Sequence, residues 1–506
     1  MTRLPAARDA AVAALTAPSS SALVDLVAYP DGDGEPVGAP SAVVVANADG
    51  AVRLHADGRH DVLHGRDPVA CTDPLAFLPY RPDTASLARD NAANAYPDPA
   101  RRLLSFFADP TRSPDLVVVH TPAHYFPGEG GHRGEHGSLD AVQSRAPLLV
   151  SGAAAARGGV VTDHARVIDV APTLLRAAGV PAERHRDAAG APLDGRERAD
   201  LVAEPGAGRF VVGILWDGAP CGELLHLAAC GALPGVARLL EHGTALAGGA
   251  VAEFPSVTLC NHTSALTGVG PGRHGVLGNV FHDRATGLRE VPNDASTWHH
   301  SARWLRPGVA TVFEQLAAAR PAALSACINE PVDRGSALST MQQIRASGAA
   351  GGAGDLDAAL PAAEGSRYVG DAAHLADPSY RWGTRVDDAG LAQLLQVFAD
   401  PGTAPALTWW NNVVTDSGHH AGGPGSVIAR DSLRDADRRL QAFLDHLDRL
   451  AIAQEVTFLL TADHGFETCD PQVTGSWAPA LHGALDPLGV GWRDEGPGAV
   501  YLGIPG

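Results

Sequence analysis

Short apolar runs alternate along this chain with longer stretches of helical periodicity. Runs at 41–46, 115–119, 148–151, 209–215, 406–410 and 456–460 read as strands. Helical patterns occupy 167–178 ("VIDVAPTLLRAA"), 224–242 and 428–450. The last carries an apolar stripe of Leu433, Leu440, Phe443 and Leu447, and its Arg/Asp-rich stretch 430–439 reads as a solvated face. The first residues, interrupted by Asp9, suggest a short amphipathic helix. Strands alternating with helices predict an α/β protein with a mostly parallel sheet. Two stretches break the pattern. Residues 181–208, polar and rich in Ala and Gly, read as a linker, and 346–366 as a flexible surface loop. There is no internal repeat.

Composition narrows this picture. A chain of 506 residues is long enough for two or three domains, or one large α/β domain with insertions. The net charge is −19 and Lys is absent, so Arg carries all the fixed positive charge. Such a balance argues against a nucleic-acid polymer as partner, because phosphate neutralisation needs cations. It leaves room for a small anionic substrate, since a bound metal reverses the local sign. Six Cys without CxxC spacing, at 71, 221, 230, 260, 327 and 469, fit reduced thiols better than disulfides or a Cys-rich zinc site. No signal-type apolar region and no run of about 18 apolar residues is present, so the expectation is a cytoplasmic protein without a membrane partner. The oligomeric state is not legible.

Chemistry gathers where strands end. After "RFVVGIL" comes Asp217, and after "PALTWWNNVV" comes "TDSGHH", with Asp416 and His420 four apart. After "EVTFLL" comes "TADHG", with Asp463 and His464, and after "DLVVV" the loop reaches His136 in "GEHGS". Ligands of parallel α/β sheets bind outside the carboxyl ends of strands. One Asp after a strand is more often a helix cap than a ligand. Four such exits on one sheet edge make a metal centre, and Asp/His sets suit Zn²⁺ or Mn²⁺. Thr258, in "EFPSVTLCNHTSALTG", should open a helix, where backbone N–H groups attract an anion. Taken alone it reads as a plain cap, because a Thr hydroxyl needs a base or metal before it attacks.

Together "WDGAP", "FPSVTLCNHTSALTG", "HGVLGN", "DSGHH", "TADHG" and "GEHGS" resemble the alkaline phosphatase superfamily, in its nucleotide pyrophosphatase/phosphodiesterase and phosphonoacetate hydrolase branch. The resemblance covers most of 115–180 and 206–470. It implies a three-layer fold with a mostly parallel central sheet between helices, and a cap-like insertion at about 283–400. It implies two divalent cations, zinc or alternatively manganese. Asp217, Thr258, Asp463 and His464 would surround one, and Asp416, His420 and His136 the other. Thr258 would be the nucleophile and Asn261 would hold a phosphoryl oxygen. His420 fits the family spacing better than His419, which remains a substitute. Thr in place of Ser or a Cys-derived nucleophile favours a small phosphodiester, nucleotide or phosphonate substrate.

The motif order departs from the family's. The family's "HG" histidine follows "DHG", whereas His136 precedes it here. This implies a circular permutation. Residues 1–180 would be the family's C-terminal part, 181–208 a linker, and 209–506 the N-terminal part. The competing reading keeps the usual order, takes His482 as the third histidine and makes 1–180 a separate domain. Two other functions remain open. One is C–P hydrolysis of phosphonoacetate type, suggested by "GNVFHDRATG"; the other is an inactive binding protein on the same fold. His262, His274, His299 and His300 read as ordinary surface or loop histidines, and Trp409 and Trp410 as core or pocket wall.

Overall fold

All seven residues of the strand Phe210–Trp216 are buried, so it can only lie inside a sheet covered on both faces. The computed structural model, which describes residues 3–32, 40–70, 95–126, 131–294, 296–347, 360–496 and 498–504, shows that sheet. Its eight strands run in the order Leu338–Ser339, Ser325–Ile328, Leu407–Asn412, Phe210–Trp216, Val456–Thr461, Leu148–Gly152, Gly243–Leu246 and Gly159–Val161. The first five are parallel to one another. Leu148–Gly152 runs antiparallel to both its neighbours. The helices Val170–Ala177 and Pro378–Val397 pack against it. This is the alkaline-phosphatase-like α/β fold, with a mostly parallel central sheet.

A second sheet, wholly antiparallel, was not foreseen. Its seven strands run Trp492–Glu495, Ala499–Leu502, Leu116–His120, Val24–Pro30, Ala42–Asn47, Gly50–His55 and His60–Gly65. The run 115–119 belongs here and not to the main sheet, which corrects one of the four expected strand exits. Strand alternation sends its side chains two ways. Val117 and Val119 join the large core with Phe106 and Phe107. Leu116 and Val118 meet Ala7, Ala11 and Leu15 of helix Arg3–Leu15, together with Leu481 and Leu485. Each such buried Val or Leu contributes about 1.5–3 kcal/mol.

Other local expectations shift for identifiable reasons. The pattern at 224–242 forms two helices, Cys221–Ala229 and Pro234–Glu241, bent by 87°. Gly231 adopts φ 74° between them, and Pro234 starts the second. Helix Val427–Arg449 forms as expected, but its charged face is not all solvated. Arg439, Asp435 and Asp437 are buried. Arg439 pairs with Asp388, and Asp437 accepts from the N–H groups of Gly235 and Val236. Within 283–400, strands Ser325–Ile328 and Leu338–Ser339 extend the main sheet at its edge. Residues 181–208 hold no strand, yet Arg198, Leu201 and Val202 are buried. Of the loop at 346–366, residues 348–359 lie outside the described ones, as does Cys71. The five other cysteines are free. No described helix is by itself long and apolar enough to cross a membrane.

Candidate metal centre

The carboxyl ends of three parallel strands meet at one point. Asp217 follows Phe210–Trp216 directly, and its N–H donates to the Asn412 carbonyl of the neighbouring strand. Asp463 and His464 follow Val456–Thr461. After Leu407–Asn412 the chain turns into helix Val414–Gly422. Asp416 and His420, one turn apart on that helix, project from one face. Both oxygens of the buried Asp387 accept from Val413 and Val414 N–H at 2.8 and 3.1 Å, which fixes the start of this helix. Gly218, at φ 64°, lets the backbone pass the Asp416 carboxylate: a Cβ there would lie 2.3 Å from the Phe466 ring and 3.2 Å from Asp416 Oδ1.

His136 arrives from the first part of the chain, on the loop that leaves the antiparallel sheet. Gly134 makes its approach possible, because a Cβ there would lie 2.5 Å from the His419 carbonyl oxygen. The short strand Gly134–Glu135 pairs with Glu467–Thr468, just beyond the Asp463-His464 turn. His136 Nε2 lies 3.9 Å from Asp416 Oδ1, and His420 Nε2 lies 3.5 Å from the same oxygen. The His136 and His464 rings stack at 3.7 Å. His464 Nε2 lies 3.1 Å from Asp463 Oδ2 and 3.8 Å from Asp217 Oδ1.

The hydrogen bonds around these rings have one theme. His136 Nδ1 meets the Ser256 carbonyl at 2.9 Å, His420 Nδ1 that of Gly134 at 3.0 Å, and His464 Nδ1 that of Gly465 at 3.0 Å. A carbonyl only accepts, so each Nδ1 carries a proton, and each ring presents Nε2 to the carboxylates. Metal-binding histidines are oriented in this way. Asp217 Oδ1, Asp416 Oδ1, Asp463 Oδ2 and His464 Nε2 are buried without a hydrogen-bond partner among the described residues. Orphaned buried carboxylate oxygens cost free energy unless a partner satisfies them, and a cation would do so together with the ring nitrogens. Four groups of donors within reach of single ions form here among the described residues: Asp217–Asp416–His464, His136–Asp416–His420, Asp217–His262–Asp463 and, sharing His420, His132–Glu135–His420. The residues therefore fit divalent cations.

The electrostatics agree. Burial, and then the neighbouring Asp463 and Asp416 carboxylates, push Asp217 well above the usual carboxylate range. Burial, followed by His464 and His420, holds His136 well below the ordinary imidazole value, which keeps it a neutral donor.

Thr258 is the first residue of helix Thr258–Thr267 and is partly exposed. The loop before it is tied to the His136 loop, since Ser256 Oγ accepts from Gly137 N–H and donates to the Ser138 carbonyl. His262, one turn along the helix, reaches the carboxylates: its Nε2 is 3.6 Å from Asp217 Oδ2 and 3.5 Å from Asp463 Oδ2. It is a buried member of the centre, not the surface histidine expected.

Asn261 requires the opposite correction. It is fully buried. Its Oδ1 accepts from Glu253 N–H, and its Nδ2 donates to the Pro255 and Val257 carbonyls. The amide is spent bracing the turn before Thr258, so it is not available to a phosphoryl oxygen. Asn279, from "HGVLGN", has its Oδ1 on the N–H of Leu259, beside Thr258. His419 faces away, toward Glu223 at 3.6 Å, so His420 is the histidine in the centre. His482 is 61% exposed and pairs with Asp486 on helix Ala478–Leu485. His274 is an ordinary core histidine held by Ser264, and Trp409 and Trp410 are core. Two further residues were given no role from the sequence. His132 and Glu135 form an ion pair at 2.8 Å, and the His132 ring lies 4.1 Å from His420.

A mostly parallel sheet ending in this Asp/His array is the alkaline-phosphatase-like fold with a candidate metal centre at its carboxyl edge. The type I phosphodiesterase / nucleotide pyrophosphatase family model matches residues 211–487, more than half of the chain, and the chain belongs to that family. Members of that family are phosphoric ester hydrolases. No curated protein sequence matches it. Among solved structures, murine ectonucleotide pyrophosphatase / phosphodiesterase 5 is similar at 16% identity, over 52% of this chain and 59% of its own, with a TM-score of 0.36. An inactive variant of that murine protein in complex with AMP gives 15%, the same coverage and 0.35. The human counterpart gives 13%, the same coverage and 0.34. The chain thus spans 59% of the length of these neighbours.

Proposed function

We propose that this protein is a two-cation phosphodiesterase or nucleotide pyrophosphatase whose nucleophile is Thr258. One observation carries the reading: three histidines spend Nδ1 on backbone carbonyls while each Nε2 faces the carboxylates of Asp217, Asp416 and Asp463, three of whose oxygens have no hydrogen-bond partner among the described residues. Asp217, Asp463 and His464, with Thr258, would hold one cation, and Asp416, His420 and His136 the other. Zinc suits this donor set, and manganese is the alternative. Bound there, the cations would neutralise phosphoryl charge and ease loss of a proton from a hydroxyl or water.

This chain's own residues then have defined tasks. The positive end of helix Thr258–Thr267 draws the anionic phosphoryl group to Thr258, its first residue. Thr258 Oγ1 attacks phosphorus in line; the bond to the leaving alcohol or nucleotide breaks, and a phosphoryl-threonine remains. Water then attacks from the opposite face, restoring the hydroxyl and releasing phosphate or its monoester. Ser256 and Gly137 keep the two loops that frame this reaction in register.

The arrangement also supports circular permutation. Strands from 1–180 and from 209–506 alternate in the main sheet and share the antiparallel one, where Ala499–Leu502 pairs with Leu116–His120. The side chain of Leu4 lies against Gly503, so the two ends of the described chain are neighbours. A His136→Ala variant separates this from the usual motif order: one of two cations should be lost, whereas His482→Ala should bind both. Full cation binding by His136→Ala would end the permutation reading. The activity itself is tested with zinc- or manganese-loaded protein on a chromogenic phosphodiester, a dinucleotide pyrophosphate and phosphonoacetate. Turnover of the first two supports the proposal. Turnover of phosphonoacetate alone would replace it with C–P hydrolysis.

A further inference from the structure

Behind the carboxylates that face the first cation site lies a buried pair outside the proposed ligand set. Glu330 is fully buried. Its Oε1 accepts from Val332 N–H at 3.0 Å, and its Oε2 accepts from Trp409 Nε1 at 3.0 Å. Both donors belong to the core, so this carboxylate cannot turn. Oε2 also lies 2.9 Å from His262 Nδ1. The other edge of that ring, Nε2, sits almost equidistant from Asp217 Oδ2 and Asp463 Oδ2, at 3.6 and 3.5 Å.

We infer that His262 and Glu330 are positioning residues of the centre: Glu330 fixes the imidazole, and the imidazole sets which oxygens Asp217 and Asp463 turn toward the cation. The inference rests on the two-cation reading. Its geometry is directional. On Asp217 the ring faces Oδ2, whereas Oδ1, the orphaned oxygen, points to His464 and Asp416. On Asp463 the Gly218 N–H takes Oδ1, which leaves Oδ2 between the two rings. His262 thus separates a ring side from an ion side on Asp217 and completes the clamp on Asp463. It also follows Thr258 by one helical turn on the same face, so one ring aligns the nucleophile's helix with the carboxylates. An apolar pair of similar volume would be at least as stable in this core. What the ionisable pair adds is direction, as outer partners of metal ligands do.

The test is calorimetric titration of Zn²⁺ into the metal-free full chain, with Co²⁺ absorption spectra as a second readout. Wild type should bind two ions. Glu330→Gln keeps the shape and removes the charge; it should weaken one ion by about 10–100-fold, leave the other unchanged and alter the spectrum of the weakened site. His262→Gln, whose amide reaches toward the same carboxylates, should retain more affinity than His262→Leu. Wild-type affinity and spectra in folded Glu330→Gln would overturn the inference while leaving the two-cation reading intact. Equal weakening of both ions, tracking a loss of stability, would reduce the pair to a structural role. If His262→Leu fails to fold, Glu330→Gln decides alone. A wild type that binds no cation would remove the two-cation reading itself, and this inference with it.

Discussion

Two buried charged clusters lie within one loop of each other and are built on opposite principles. In the first, Arg166 grips Glu253 through three contacts of 2.7–3.0 Å, and Glu253 is fully buried. Both carboxylate oxygens are engaged and nothing is left to offer a ligand. In the second, Asp217, Asp416 and Asp463 converge with one another and with imidazole rings, and keep orphaned oxygens. The first cluster joins residue 166 to residue 253 and serves the chain alone. The second is a poor solution for the chain alone, and its cost is met when a cation arrives. Buried charge by itself therefore says little about function; what matters is whether its hydrogen-bonding capacity has been used.

The sharpest way to separate the clusters is to remove one group from each. Thr258→Ala should lower kcat on a phosphodiester by about 10³-fold or more, with an unchanged unfolding midpoint. Residual turnover within tenfold of wild type would remove Thr258 as nucleophile. Glu253→Gln should do the reverse. It leaves the half-buried Arg166 without its counter-charge and should cost about 3 kcal/mol in denaturant unfolding. The protein that remains folded should bind cations normally.

Chelation probes the second cluster without mutation. Ligand at a hundred times its Kd adds about 2.7 kcal/mol. Metal-free protein should therefore unfold several degrees lower by calorimetry, and Glu253→Gln should show the same increment. An unfolding temperature indifferent to zinc and manganese would contradict the metal centre.

The smallest effect concerns Asp387, which sets the start of the helix carrying Asp416. Burial pushes its pKa up to about 7. The folded state therefore holds a proton that the unfolded state has lost between about pH 4 and pH 7. Stability contributed by this group is present at the acid end and falls as pH rises through that window. Asp387→Asn should flatten the corresponding slope in unfolding free energy, and an unchanged slope would assign it to other groups.

Legibility in the sequence followed the range of each signal. Asp217, Asp463 and His464 stand directly after apolar strands, and Asp416 and His420 share a helical period, so neighbours in the sequence announce them. His136 was legible through its motif, although the strand before it belongs to another sheet. Glu330 and His132 have no local pattern and reach the centre through long-range folding, whereas His262 and Glu135 sit inside quoted motifs whose family readings gave them no role. Asn261 was misread because a motif fixes a residue's place but not where its amide points. The antiparallel sheet escaped in part because Leu116–His120 finds its partner Ala499–Leu502 only at the other end of the chain, while its early hairpin strands at 24–65 were legible only as the single run 41–46.

The strand Leu148–Gly152, inserted antiparallel beside Val456–Thr461, has a consequence for biosynthesis. Its partner emerges from the ribosome only after about 300 further residues, or about 15–60 s at ordinary elongation rates. Throughout that interval an apolar strand has one unmade edge, a template for pairing with other nascent chains. The main sheet closes late, through contacts of very high sequence separation, which is the slow and aggregation-exposed route to a native state. Yield of this protein in cells should accordingly depend on chaperone capacity and translation speed more than on its final stability.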